Sequence, residues 1–372
     1  MTEADSLTTA MLARVHKAIL AAQGWLPFDR FMAMALYEPG LGYYANEQPK
    51  FGAMPQSGSD FVTAPELSPL FGAALAQQVA QALEATGTDE VWEFGAGSGA
   101  LAHQLLSELR ALGCPPVRYN IMDLSSTLKA RQQARLAEFG DQVTWLQQWP
   151  DSLQGVVVGN EVLDAMPVKL LHRIKGQWHE RGVVWHEGAA GLAWQDRPTA
   201  LRPPLEPLGA HDYLTEIQPQ AEAFVASLAE RLLASKKGGA AFFLDYGFPE
   251  SEYFHPERHM GTVMCHQAHK ADPDPLVALG LKDITAHVNF TGIALAGQDA
   301  GLQVLGYTSQ TRFLLNLGLA ERMAQASLGE RAQALKLISE HEMGELFKVV
   351  GFATHPHWQA LGFAAGDRSH RL

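Results

Sequence analysis

The chain is 372 residues long, 47% hydrophobic and 18% charged, with 40 acidic against 28 basic side chains and a formal net charge of -12. This is the composition of a globular protein with a sizeable core; its acidic balance argues against broad attraction to a nucleic-acid backbone or an anionic membrane and suits a basic polypeptide partner. Cys114 and Cys265 are too few for a disulfide framework, the opening MTEADSLTTA has no continuous apolar stretch, and no run approaches the ~18 apolar residues of a membrane span, so the expected compartment is the cytoplasm.

Met11, Leu12, Val15, Ile19 and Leu20 fall at helical spacing and predict a helix over residues 8 to 23. FDRFMAMALY, residues 28 to 37, predicts a second amphipathic helix that Pro39-Gly40 stops. From Leu41 to Ser68 the chain reads as one loop rich in glycine and proline, and so long a loop is uncommon unless it binds something or acts as a lid. A helix over 69 to 85 leads into a strand over 90 to 94. There follow a helix over 99 to 112, a strand over 117 to 123, a helix over 125 to 139 and strands over 143 to 146 and 155 to 159, the rhythm of a doubly wound parallel sheet. HRIKGQWHERGVVWHEGAAGLAWQ then breaks into short β-prone runs at Lys175-Gly176 and Glu187-Gly188, an inserted antiparallel meander near 170 to 215. A helix over 218 to 236, a buried strand over 238 to 247, further helices and closing strands complete the chain.

The stretch VWEFGAGSGALAHQLL, residues 91 to 106, is an apolar strand, a glycine turn and a helix. Gly95-x-Gly97-x-x-Ala100 fits a dinucleotide fingerprint, while Gly95-x-Gly97-x-Gly99 fits the loop that binds S-adenosylmethionine. Glycine lets either loop bring its backbone close to a ligand at a helix N-terminus, so charge must discriminate. Glu93 at the mouth of the turn would repel a pyrophosphate and attract the ammonium and sulfonium of the methionine ligand. Asp123, at the end of the next strand, is at the distance where an acidic side chain binds ribose hydroxyls; helix N-capping is its other reading. Trp145 and Leu146 end the strand after that and either sandwich adenine or belong to the core.

VVVGNEVLDAMP places Asn160, Glu161 and Asp164 directly after a fully apolar strand. Glu161 and Asp164 are three apart, so on a helical turn they share a face, where two carboxylates pair with one guanidinium; dipole-stabilising acids at a helix start are the alternative. Such carboxylates would orient the guanidinium, localise its charge away from the reacting nitrogen and accept its proton. No G-x-S-x-G elbow occurs, and displacement at a sulfonium needs alignment rather than a covalent intermediate. His255, His259, His266 and His269 have spacings that could ligate a metal, but no second ligand cluster accompanies them, and a substrate-groove loop fits better. His269, His287, Asn289 and Phe290 are candidates to line that groove, with surface or core roles as the plain alternatives.

These segments, YEPGLGYYAN, GSDFVTAPELSPLFG, EFGAGSGALA, GNEVLDAMPV, LDYGF, GTVMCHQAH, DITAHVNFTG and GELFKVVGF, resemble those of the MidA-like family, class I methyltransferases related to the mitochondrial complex I assembly factor that methylates arginine. The resemblance spans nearly the whole chain. It implies an α/β, Rossmann-like class I methyltransferase sheet with an N-terminal helical, cofactor-covering segment (residues 1–85) and a methyltransferase domain (86–372) holding the β-rich insertion and a substrate-groove segment near 250 to 300. It further implies S-adenosylmethionine as donor and symmetric dimethylation of an arginine in the quinone-module subunit of respiratory complex I. Gly95, Gly97, Gly99, Asn160, Glu161 and Asp164 match the family's motif positions, as do Gly42, Tyr43, Tyr44, Asp60, Phe61 and Thr63 in the covering segment. His266 stands where the family usually has tyrosine. An NAD-dependent oxidoreductase and a non-catalytic assembly chaperone remain as alternatives, and the oligomeric state is left open, a homodimer included.

Overall fold

The computed structural model describes residues 3–46, 63–123, 126–189, 191–267, 270–355 and 358–372. Helix α1, Glu3–Ala21, buries Met11, Val15 and Ile19, which are four apart and therefore on one face. A two-residue strand β1, Leu26–Pro27, leads into α2, Phe28–Tyr37, whose Phe28, Phe31, Met32, Ala35 and Leu36 are buried. A residue preceding proline is pushed out of helical geometry, and Glu38, before Pro39, turns to ψ 125 and ends α2. After a one-turn helix α3, Ala64–Leu67, the Ser68 side chain accepts the Leu70 N–H and opens α4, Pro69–Thr86, which Gly87 closes at φ 63.

Strand and helix then alternate through β2 (Glu90–Phe94), α5 (Ala100–Ala111), β3 (Arg118–Met122), α6 (Ser126–Arg135), β4 (Val143–Leu146) and β5 (Gly155–Asn160). The helix expected over 125 to 139 is shorter, because α6 ends at Arg135 and the chain passes into a tighter turn broken at Gly140 (φ 52, ψ -132). The expected meander follows as β6 (Lys169–Ile174), β7 (Gln177–His186), β8 (Gly191–Pro198) and β9 (Tyr213–Ile217), and then α7 (Pro219–Ala234) and β10 (Gly239–Phe248). Next come α8 (Glu250–Tyr253), β11 (Met264–Gln267), β12 (Lys270–Asp272), β13 (Asp283–Thr285), β14 (Val288–Asn289) and α9 (Phe290–Asp299). Within them β12, β11 and β13 form a small antiparallel sheet that the sequence did not announce. The chain closes with β15 (Gln303–Ser309), α10 (Gln310–Asn316), α11 (Leu319–Gln325), α12 (Leu328–Ile338) and β16 (Phe347–Ala353).

The main sheet has the order β15-β16-β10-β5-β2-β3-β4. Strands β10, β5, β2, β3 and β4 are parallel, whereas β16 is antiparallel to both β10 and β15, so the sheet is mixed rather than purely parallel. Both faces are covered: Val79 and Leu105 of α4 and α5 pack on one, Val225 and Ile293 of α7 and α9 on the other. From β2 the chain winds outward to β3 and β4, then returns to β5 on the far side of β2. That reversal opens a crevice at the C-terminal ends of β2 and β5, where open α/β sheets bind ligands. A third core joins Phe31 of α2 to Leu170, Val183 and Ile284 of the two smaller sheets, and β1 pairs with β7. The N-terminal helices are thereby docked on the meander, with Tyr37 on the wall of the crevice.

Candidate functional site

A cavity of about 510 Å³ fills the crevice, a volume typical of small-ligand sites. Its floor is the turn after β2, where Gly95, Gly97 and Gly99 adopt φ 65, 53 and 81, the left-handed region that suits glycine. A Cβ on Gly95 would also meet Val162 Cγ2 at 3.0 Å. Gly95 and Gly97 are on the cavity wall, and Gly99 sits one step behind as the N-cap of α5. Glu93 is on the wall yet buried, and its Oε2 accepts the Tyr119 hydroxyl at 2.7 Å. Burial pushes its carboxyl up to about 8 against that hydrogen bond. An acid so placed ionises readily only when a cation arrives.

Asp123 is also on the wall, its Oδ2 accepting from Gln132 Nε2 at 2.8 Å. The same nitrogen donates to the Gly97 carbonyl at 2.9 Å, so Gln132 ties the acid to the glycine turn. Sequence reasoning missed this residue, since nothing in its local pattern distinguishes a glutamine on α6. Leu146 lines the cavity, but Trp145 does not: its Nε1–H donates to Gln132 Oε1 at 3.0 Å, which orients Gln132 in place of the expected adenine contact. The apolar end is formed by Phe94, Trp149 and Phe224, with ring centroids 4.9 to 5.2 Å apart.

At the end of β5, its last residue Asn160 and the next residue, Glu161, face the cavity. Glu161 lies at φ 53, and its Oε1 accepts from Asn160 Nδ2 at 3.0 Å. The Ala64 N–H, at the start of α3, also bonds the carboxylate. Burial, with Asp164 second, pushes Glu161 up to about 8 against these two hydrogen bonds. The expected helical turn is absent. Residues 161–164 form an irregular loop, and Asp164 leaves the wall to accept the Tyr246 hydroxyl on Oδ2 at 2.5 Å. Two carboxylates do not therefore converge on one point of the cavity. Asn160 Oδ1 is buried without a hydrogen-bond partner among the described residues, an acceptor beside the cavity open to a ligand donor.

The covering segment contributes unequally. Tyr44 and Thr63 line the cavity, and Tyr37, not foreseen, stacks on Tyr44 with centroids 5.6 Å apart while donating to the Ala165 carbonyl at 2.8 Å. Tyr44 donates to Asp283 at 2.9 Å. Tyr43 is buried in the core, and Gly42 is needed because a Cβ there would lie 2.5 Å from the Glu38 nitrogen. Asp60, Phe61 and His269 lie outside the described residues. Glu66 of α3 accepts from Ser98 of the glycine turn and pairs with Arg135 at 2.8 Å. Asn289 and Phe290 are not on the wall: Asn289 caps α9 through the Gly292 N–H and Phe290 is core. His287 packs between Tyr246 and Phe248, and burial holds it down to about 4. Among the described residues no cluster of His, Cys, Asp or Glu is arranged to hold a metal, and no helix is long and apolar enough to cross a membrane.

The family described as S-adenosyl-L-methionine-dependent methyltransferase matches residues 74–308. Among curated proteins, the chain is similar to protein arginine methyltransferase NDUFAF7, mitochondrial, of Danio rerio, 28% identical over 386 residues that cover 92% of this chain and 87% of that protein. The Homo sapiens protein of the same name is 25% identical over 96% of this chain and 86% of its own. A crystal structure of a Burkholderia thailandensis protein bound to S-adenosyl-homocysteine is similar with a TM-score of 0.94 at 46% identity, covering 100% of this chain and 99% of that one. Both curated relatives are named mitochondrial, which overturns the cytoplasmic expectation drawn from composition and the first ten residues.

Proposed function

The chain belongs to this family of S-adenosyl-L-methionine-dependent methyltransferases, and from that premise we propose that it methylates an arginine of a protein. The cavity fits the donor. The glycine turn with its positive φ angles would carry the methionine portion, Glu93 its cationic groups, Asp123 the ribose hydroxyls, and Leu146 with the aromatic end the adenine. When bound, the donor supplies a methyl group on a positively charged sulfur. Everything else falls to this chain: excluding water, orienting the acceptor and taking its proton.

The observation that carries the arginine reading is Glu161, a desolvated carboxylate on the cavity wall, fixed by Asn160 and the Ala64 N–H. A guanidinium entering from the Tyr37 and Tyr44 side would meet an acid whose proton affinity, raised to about 8, suits it to accept a proton near neutral pH. Its hydrogen bond to a charged acceptor is worth roughly 1.5 to 3 kcal/mol. Asp164, facing Tyr246, would act on Glu161 by charge rather than on the acceptor directly. Both curated relatives are named arginine methyltransferases, and an acidic chain suits a basic polypeptide. The finer reading, symmetric dimethylation of the quinone-module subunit of respiratory complex I, rests on the family resemblance. The test is incubation with tritiated S-adenosylmethionine and that subunit, followed by hydrolysis and amino-acid analysis. Symmetric dimethylarginine is the expected product; label on lysine or on no side chain overturns the proposal.

A further inference from the structure

Strand β10 ends in LDYGF, residues 244 to 248, a segment not on the cavity wall. Its register sets Leu244 beside Asn160, so Asp245 reaches past the end of β5 to the loop that bears Glu161. The next four backbone N–H groups all bond to β10. Glu161 N–H donates to the Leu244 carbonyl at 2.9 Å. Those of Val162, Leu163 and Asp164 converge on one oxygen, Asp245 Oδ2, at 3.1, 2.9 and 3.2 Å. The other oxygen, Oδ1, accepts from Tyr246 N–H at 3.0 Å. Three consecutive N–H groups aimed at one anion form a nest, and a carboxylate is the natural group to fill it. Burial first, then the charges of Asp164 and Glu161, push this carboxyl well up against the opposing pull of the Asp164 and Leu163 N–H groups, and Asp245 is only 1% exposed.

The loop so held is a demanding one. Glu161 at φ 53 occupies a left-handed region that a residue with a side chain enters only under strain, and such a conformation persists only where its surroundings over-determine it. A relaxed backbone would carry the carboxylate away from Asn160 and the Ala64 N–H. We propose that Asp245 is a positioning residue for methyl transfer: by binding three successive amides it fixes the loop that points Glu161 at the acceptor. The proposal rests on the reading of Glu161 given above.

Asp245→Asn keeps the shape but must turn its NH2 toward either the nest or the Tyr246 N–H, placing donor against donor. Amide hydrogen exchange of residues 162–164, which needs no acceptor, should quicken at least tenfold while the β5 and β10 amides keep their protection. Affinity for S-adenosylhomocysteine should stay within threefold, because Gly95 to Gly99 hang from β2. With the complex I subunit as acceptor, kcat should fall at least tenfold with little change in KM for S-adenosylmethionine. In a Glu161→Gln background the same Asp245→Asn change should cost less than twofold. Should Asp245→Asn accumulate poorly, Asp245→Glu, which keeps the charge but displaces the oxygen, is read in the same cycle. Unchanged exchange, a wild-type kcat, or fully additive losses in the double variant would overturn the proposal while leaving Glu161 in place. A wild-type rate for Glu161→Gln alone would instead remove the reading of Glu161, and this proposal with it.

Discussion

Glu161→Gln should stabilise the ligand-free protein at alkaline pH while crippling it as a catalyst. In the folded chain burial raises this carboxyl from 4.5 to about 8, so the native state holds its proton over a range where the unfolded chain has released it. The sign follows directly: stability from this group is fully present below about pH 4.5 and is lost as pH rises through about 8. At about 1.4 kcal/mol per tenfold change in proton affinity, the ionised form destabilises the ligand-free fold by up to about 4 to 5 kcal/mol. Glutamine cannot ionise. It keeps an oxygen for one of the two donors, Asn160 Nδ2 or the Ala64 N–H, and clashes with the other, which returns roughly 1 to 3 kcal/mol. A net gain of about 1 to 4 kcal/mol over wild type is expected at pH 9, and a loss of about 1 to 3 kcal/mol at pH 4.5, where the native Glu161 is protonated. Urea unfolding of both proteins across this range measures it. Methyl transfer should meanwhile drop about tenfold to a hundredfold, from loss of a charge-assisted hydrogen bond in the transition state. Parallel stability curves for the two proteins from pH 4.5 to 9 would refute the claim that Glu161 is held in a desolvated site.

Gly97→Val should leave the fold intact and abolish S-adenosylhomocysteine binding in calorimetry, since φ 53 is strained for a β-branched residue; retained affinity in the folded variant would reject the turn as the donor's seat. Gln132→Leu, which removes the bridge between Asp123 and the Gly97 carbonyl, should weaken the same binding about fivefold to fiftyfold, and an unchanged dissociation constant would show the bridge to be incidental. Because burial pushes Glu93 up to about 8 in the ligand-free site, S-adenosylmethionine should bind with proton release, its affinity rising with pH and levelling off above about 8. Glu93→Gln should flatten that dependence, and a profile equally steep in the variant would assign the proton elsewhere.

The passage from β2 through the glycine turn to α5 was legible because three local signals coincide: an apolar strand, glycines where φ turns positive, and a renewed helical period. Asn160 and Glu161 were legible for a related reason, as polar residues directly after an all-apolar strand. What failed was geometry set by non-local contacts. Spacing predicts a helical turn for 161–164, yet the path of this loop is fixed by β10, over eighty residues later in the chain, and no pattern near Glu161 signals a left-handed glutamate. Trp145 reads as a stacking ring in isolation, and only the approach of Gln132 from α6 turns its N–H away. Tyr37 is the last residue of the amphipathic helix predicted over 28 to 37, and nothing local marks it as a cavity residue; docking of α2 on the meander puts it there. The direction of β16, one of the closing strands expected at the end of the chain, was likewise not legible, since a strand buried on both faces carries no mark of its direction.

The one-turn helix α3 touches both halves of the site: its first N–H bonds Glu161, while Glu66 holds Ser98 of the glycine turn and Arg135. A donor that draws the turn toward itself would therefore work on the same short segment that bonds Glu161, the carboxylate proposed to meet the acceptor. By reciprocity, whatever occupancy of the donor seat does for acceptor affinity, occupancy of the acceptor seat must do for the donor, to the same factor. On the proposed reading of Glu161, these four residues would link the two substrates, and a change at Glu66, which faces the glycine turn rather than Glu161, would alter how strongly one substrate senses the other.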